Sequence, residues 1–344
     1  SGANGAFDVA IRDAFDATRM QIPTNATGLN LKVTNGAGVT LAYTGDLFGT
    51  GITLVDPSAS AGSLAPGKTT GGSVINTGAN IAVITYDLQL LPTVAPLDVI
   101  PNTATLTKYA SAEGGPSFLP ASGLSDSATV TVQSPAVTKA LIGTSIVDAF
   151  NTTTQAVIGE IATFELSIDV PRGTTPSAVV VDSLPTGLAF VQMVGTPVID
   201  PGVTFTGSLT PVVTNSGRTV TFNLGDVTNS NAGTTLQGIT VRYEAVVLNV
   251  SSNVSNQTLR NSAKLSWTGH TELPAAQSGP VTVIEPKLRV QKSVSAPVAQ
   301  ASDLVTYTIV VSHASNSQTT AYNASLADIF PGGITYVPGS LTHA

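Results

Sequence analysis

Three polar side chains stand where the pattern around them calls for apolar ones. Lys139 shares a strand face with Val137 and Leu141, Asp182 with Ala178, Val180 and Leu184, and Asn261 with Leu259, Ala263 and Leu265. Period-two alternation of this kind turns each of the three toward an apolar interior. An unpaired charge there is costly enough to change its protonation state. Burial lowers the pKa of a lysine and leaves a neutral, nucleophilic amine; it raises that of a carboxylic acid, which can then donate a hydrogen bond. An asparagine adds a carboxamide, which can cap a polar network or present an electrophilic carbon. Two readings are therefore open: a passive ion pair capped by an amide, or a set able to react with itself. Glu160, in phase with Ile158, Ala162 and Phe164, is a second candidate for the acid.

The same residue types recur along the chain. Lys292 lies in phase with Leu288, Val290 and Val294; Asp13 with Val9, Ile11 and Phe15; Asn102 with Ile100, Ala104 and Leu106. The stretch Asp182-Ser183-Leu184-Pro185-Thr186-Gly187-Leu188 has a counterpart in Asp328-Ile329-Phe330-Pro331-Gly332-Gly333-Ile334, and Phe7–Asp13 aligns without gaps to Tyr322–Asp328. The order Asp13, Asn102, then Lys139, Asp182, Asn261, then Lys292, Asp328 implies a repeat. One complete unit is expected at 135–284, between a unit at 1–134 that lacks its first strands and the N-terminal part of a further unit at 285–344. Asp182 is preferred over Glu160 because Asp13 and Asp328 keep its position, whereas Glu160 becomes Asp303. The parent protein is expected to continue in both directions.

The elements that must position these residues are strands. Phe164-Glu165-Leu166-Ser167-Ile168-Asp169-Val170 alternates cleanly, Thr and Val dominate such runs, and turn signals such as Pro171-Arg172-Gly173 and Pro185-Thr186-Gly187 separate them. No convincing helical stripe appears; 8–20 fits a strand and a turn better. The expected fold class is all-β, as tandem immunoglobulin-like β-sandwiches. Charged residues make up 10% of the 344, against about 25% in an average globular protein. Cysteine is absent, and Ser, Thr, Asn and Gly keep the surface wet, which reads as extracellular and cell-surface. A net charge of −7 with 14 scattered basic residues excludes a nucleic-acid partner, and no apolar run is long enough for a membrane span.

The combination of a Lys-bearing first strand, Gly159-Glu160-Ile161-Ala162-Thr163-Phe164, Asp182-Ser183-Leu184-Pro185-Thr186-Gly187-Leu188 and Asn261-Ser262-Ala263 resembles the repeat domains of large bacterial and archaeal surface proteins. It is especially similar to the fimbrial type that forms isopeptide bonds. The terminal copy departs from the pattern at Ile329-Phe330 and at Asp303. The resemblance implies a self-made Lys139–Asn261 bond with Asp182 or Glu160 as the acid, and partial sets in Asp13 with Asn102 and in Lys292, Asp303 and Asp328. The partial sets could close only with a neighbouring copy of the repeat or chain.

Other chemistry is thin. His270, His313 and His343 lack metal-ligand spacing, no Gly-x-Ser-x-Gly elbow occurs, and Gly45–Gly51 reads as a turn rather than a phosphate loop. No cofactor or metal is expected, nor enzymatic turnover on outside substrates. Six Asn-x-Ser/Thr sequons occur, at Asn25, Asn151, Asn249, Asn253, Asn256 and Asn323. The expected function is a structural segment of a stalk, fibre or sheath. The alternative is an adhesin module gripping a surface glycan or protein, a reading weakened by the single Trp267 and a 5% aromatic content.

Overall fold

A computed structural model describes residues 6–55, 81–270 and 272–342, together with the backbone of the strands Lys68–Thr70 and Ser73–Ile75. His343 lies outside the described residues. Among these there is no helix; every regular element is a strand. The chain is all-β.

Strands between Ala136 and Val283 pair with one another to form an immunoglobulin-like sandwich. One sheet runs Ala136–Thr144, Ile161–Val170, Gln237–Val247, Leu188–Ile199, with antiparallel neighbours throughout. The other centres on Gly173–Ser183, flanked by Thr219–Asn229 on one side and Ser262–Ser266 on the other. The alternation in Ile161–Val170 is realised residue by residue, with Ala162, Phe164, Leu166, Ile168 and Val170 all buried. They face Val180, Val220 and Phe222 of the opposite sheet in one core. Burial of a side chain of this size is worth about 1.5–3 kcal/mol.

The first unit is less fully built. Phe7–Phe15 pairs with Val99–Ala110 and Gly51–Leu54, and Leu124–Thr131 and Tyr43–Asp46 form the outer edges of that sheet. Its other layer holds two short pairs, Lys32–Asn35 with Ala82–Thr85 and Met20–Gln21 with Gln89–Leu90. The Gly45–Gly51 stretch is the hairpin turn between Tyr43–Asp46 and Gly51–Leu54. Gly45 has a φ of 98°, and a Cβ there would lie 2.3 Å from the Gly51 carbonyl oxygen, so only glycine fits.

The last described segment contributes one hairpin, Leu288–Val294 with Tyr307–His313. Tyr322–Asp328 is not a strand, although its sequence counterpart Phe7–Asp13 lies in one. The reason is the missing ladder: Phe7–Phe15 is held by a strand on each side, and neither neighbour has a counterpart within 285–342.

Candidate functional site

The middle sandwich brings Lys139, Asp182 and Asn261 together at one point of its core. Lys139 Nζ lies 2.7 Å from Asp182 Oδ2, and both side chains are fully buried. Asn261 immediately precedes Ser262–Ser266, the strand that pairs with Gly173–Ser183 and sets Ala263 opposite Asp182. The Lys139 strand is the edge of one sheet and packs beside Ser262–Ser266 of the other. The three residues therefore sit where the two sheets meet along one side of the sandwich.

A fourth residue organises them. Tyr243, opposite Phe164 in the neighbouring strand, is itself fully buried. Its hydroxyl donates to Asp182 Oδ2 at 2.8 Å and accepts from Lys139 Nζ at 3.0 Å and from Asn261 Nδ2 at 2.5 Å. The ammonium position also lies 4.1 Å from the centre of the Tyr243 ring. Burial pushes Lys139 below its ordinary range and Asp182 above its own, in each case against their mutual attraction. Burial, and then the Asp182 charge, raise Tyr243 well above 10. The direction of all three is toward a neutral amine, a neutral acid and a neutral phenol. Two oxygens in the cluster, Asp182 Oδ1 and Asn261 Oδ1, have no donor. A proton held on the acid would supply one.

Glu160 is inward and buried but belongs to a different arrangement. Its carboxylate accepts from the backbone N–H of Ile146 and Val157 and from Asn151 Nδ2, at 2.8–2.9 Å, and so ties down the loop before Ile161–Val170. Asp303 repeats part of this, accepting from the Gln300 N–H at 2.7 Å. Both carboxylates cap the turn that leads into the second strand of their unit.

Among the described residues, the first unit contains the same cluster without an amine. Tyr86 donates to Asp13 Oδ2 at 2.5 Å and accepts from Asn102 Nδ2 at 2.5 Å. Asp13 Oδ1 and Asn102 Oδ1 have no donor, the same two atoms as in the middle unit. Burial and then Asp13 push Tyr86 up to about 12. In the last segment Lys292 contacts Asp328 at 2.7 Å and lies 4.8 Å from the Tyr307 ring, half-exposed.

The tyrosines are the members that sequence reasoning missed. A signal was present: Ile84-Thr85-Tyr86-Asp87 and Val241-Arg242-Tyr243-Glu244 share a branched residue two positions before the tyrosine and an acid after it. Alternation alone makes such a tyrosine look like core filling.

The remaining singled-out residues have structural partners. Trp267 is buried and donates to the Pro96 carbonyl at 3.3 Å, while His270 meets Asp98 at 3.1 Å, so both belong to the seam between the first and middle units. His313 pairs with Ser317. Of the six sequons, Asn151 and Asn253 are buried with their amides hydrogen-bonded, and the other four are exposed.

No protein-family model and no curated protein matches the chain. Among solved structures it is similar to the C-terminal domain of the antigen I/II polypeptide BspA of Streptococcus agalactiae, with 13% identity over 80% of this chain and 84% of that one and a TM-score of 0.34. It is also similar to BcpA, the major pilin subunit of Bacillus cereus, at 11% identity over 90% and 85% of the two chains with a TM-score of 0.29. The full-length major pilin SpaD of Corynebacterium diphtheriae matches at 12% identity over 85% and 75%, with a TM-score of 0.30.

Proposed function

We propose that the chain is a load-bearing repeat segment of a long extracellular surface protein, a stalk, fibre or sheath. In this reading its middle sandwich locks itself with an isopeptide bond between Lys139 and Asn261. The observation that carries the reading is the convergence of Lys139, Asp182, Tyr243 and Asn261 in one buried cluster. The Lys139 amine, which burial pushes toward its neutral form, attacks the Asn261 carboxamide carbon. Asp182, which burial pushes toward its protonated form, donates to the amide oxygen as charge develops on it. The bond from that carbon to Nδ2 breaks, and Nδ2 leaves as ammonia with the proton given up by Nζ. The reaction happens once per domain.

Such a bond would join the strand that opens the middle unit to the one near its close. Tension along the chain would then pass through a covalent link rather than through strand edges. The cross-link would also restrict the unfolded chain over a long loop, worth about 4–5 kcal/mol by the disulfide analogy. The charge-poor composition and the repeat order support the surface role. Intact mass of the purified chain tests the bond: it should be one ammonia, about 17 Da, lighter than the sequence, and Asp182→Ala should restore the mass. An unmodified wild-type mass would leave the cluster as a passive polar network.

A further inference from the structure

The cross-link needs one proton moved between two nitrogens. Lys139 Nζ must shed a proton as it bonds to the Asn261 carboxamide carbon. Nδ2 must gain one before it departs, because an amide anion is too basic to leave. Such a transfer calls for a group within hydrogen-bond reach of both atoms. Tyr243 Oη meets that condition, at 3.0 Å from Nζ and 2.5 Å from Nδ2.

The fold fixes that oxygen closely. Tyr243 sits in Gln237–Val247, opposite Phe164 of one neighbouring strand and Met193 of the other. Its ring packs against Phe164 and Phe190, with centroids 5.9 and 5.6 Å away. Lys139 Nζ lies 4.1 Å from the centre of the same ring. Packing locks both side-chain torsions, so little orientational freedom is left to lose at the moment of reaction.

A phenol carries one proton and two lone pairs, and here all three are engaged. The proton points to Asp182 Oδ2, and the lone pairs accept from Nζ and Nδ2. Attack changes what these bonds want. Once Nζ bonds to the carbon it becomes cationic, its N–H grows more acidic, and its donation to Oη strengthens. The carbon becomes tetrahedral, amide conjugation ends, and Nδ2 acquires a basic lone pair. The contact between Nδ2 and Oη then inverts, with the hydroxyl as donor. Asp182 Oδ1 and Asn261 Oδ1, the two oxygens without a donor, are left to share the proton of the acid. The acid serves the developing oxyanion, and the phenol serves the two nitrogens. Burial, and then the Asp182 charge, hold Tyr243 well above 10, so it begins with a proton to give. The same arrangement recurs in the first unit, where the Tyr86 hydroxyl meets Asp13 and Asn102 at 2.5 Å each beside an open cleft. A ring that only filled a core would not need its hydroxyl placed twice on the same pair of partners.

We propose that Tyr243 is a catalytic residue of the cross-linking step, its hydroxyl relaying the proton from Lys139 Nζ to Asn261 Nδ2. The relay rests on the bond proposed above. Nζ gives a proton to Oη and Oη gives its own to Nδ2. The bond from Cγ to Nδ2 breaks with its electron pair on nitrogen, and ammonia leaves. The phenol ends as it began, and the core carries no new charge.

Chains made by cell-free synthesis, quenched in denaturant at intervals and weighed intact, give the rate of ammonia loss. Tyr243→Phe should slow that loss by roughly 10²-fold or more. Because this change also takes a hydrogen bond from each partner, a second series keeps the hydroxyl. Tyrosines carrying one, two and three ring fluorines, placed at position 243 alone, leave the oxygen in position and make it progressively more acidic. The rate should rise along that series, since donation to the leaving nitrogen becomes easier; a purely positioning hydroxyl would give no such trend. Rates that stay flat or fall would overturn the relay and leave the cross-link standing. So would a Tyr243→Phe chain that reacts as fast as the wild type. A wild-type mass that never drops would overturn the cross-link and the relay together.

Discussion

The first and middle units hold the same acid, tyrosine and asparagine, joined by the same hydrogen bonds, in opposite states of closure. In the middle unit Asp182, Tyr243 and Asn261 are fully buried and a lysine completes them. In the first, Ala104 is exposed where its counterpart Ala263 is buried, and Tyr86 and Asn102 are partly open. The difference lies in one hairpin. The acid–tyrosine–amide cluster assembles without the amine, because its strands are already fixed by the sheet around Phe7–Phe15 and by Ala82–Thr85. In the middle unit the amine is carried by the pair Ala136–Thr144 and Ile161–Val170, which has no counterpart among the described residues of the first unit.

The comparison breaks most visibly at the acid. Asp182→Ala strands Lys139 in the core and, under the proposed cross-link, removes the group that would polarise the amide, so the unfolding free energy should fall by on the order of 5 kcal/mol and the mass should match the variant's unmodified sequence. Asp13→Ala should leave the difference between the monomer's mass and that of its own sequence unchanged and lower its stability far less, since no lysine is buried against it among the described residues. Denaturant unfolding followed by Trp267 fluorescence, with intact mass alongside, reads both. Equal losses at the two positions would end the distinction drawn here. Glu160→Ala is the control: it should loosen the loop at Ile146–Val157 and leave the proposed cross-link, read by intact mass, in place.

The tyrosines sharpen the comparison at a smaller scale. Tyr243→Phe keeps the ring against Phe164 and deletes the hydroxyl that three partners share, which should cost about 1–3 kcal/mol and slow bond formation after refolding. Tyr86→Phe, in an open cleft where water can replace the hydroxyl, should cost less. A time course of intact mass after dilution from denaturant separates the kinetic effect from the stability effect.

The smallest effect belongs to the seam between the units. Burial works to raise Asp98, but the Ala95 N–H, His270 and Arg19 outweigh it and hold the carboxyl below its ordinary value. A depressed pKa contributes stability above the unfolded-state value and loses it as pH falls through the folded value. Asp98→Asn should therefore cost up to about 1 kcal/mol near neutral pH, and the gap from wild type should close in acid. Trp267, beside His270 in this seam, reports it; a gap that widened in acid would contradict the assignment.

Sequence by itself determined the strands, their inward faces and the order of the repeated Lys, Asp and Asn, because a period of two and a run of turn residues are local properties. It also placed Lys139, Asp182 and Asn261 on interior faces, and their mutual contact is what the folded core adds. What only the tertiary structure decided is who touches whom. Glu160 and Asp182 look alike along the chain, both in phase with apolar residues, yet one caps a loop and the other meets the lysine. Tyr243 reads as core filling until the opposite sheet brings two polar partners to its hydroxyl. Tyr322–Asp328 matches a strand in sequence and is none in structure, since a strand exists through the neighbours that satisfy its backbone, and no described strand pairs with it.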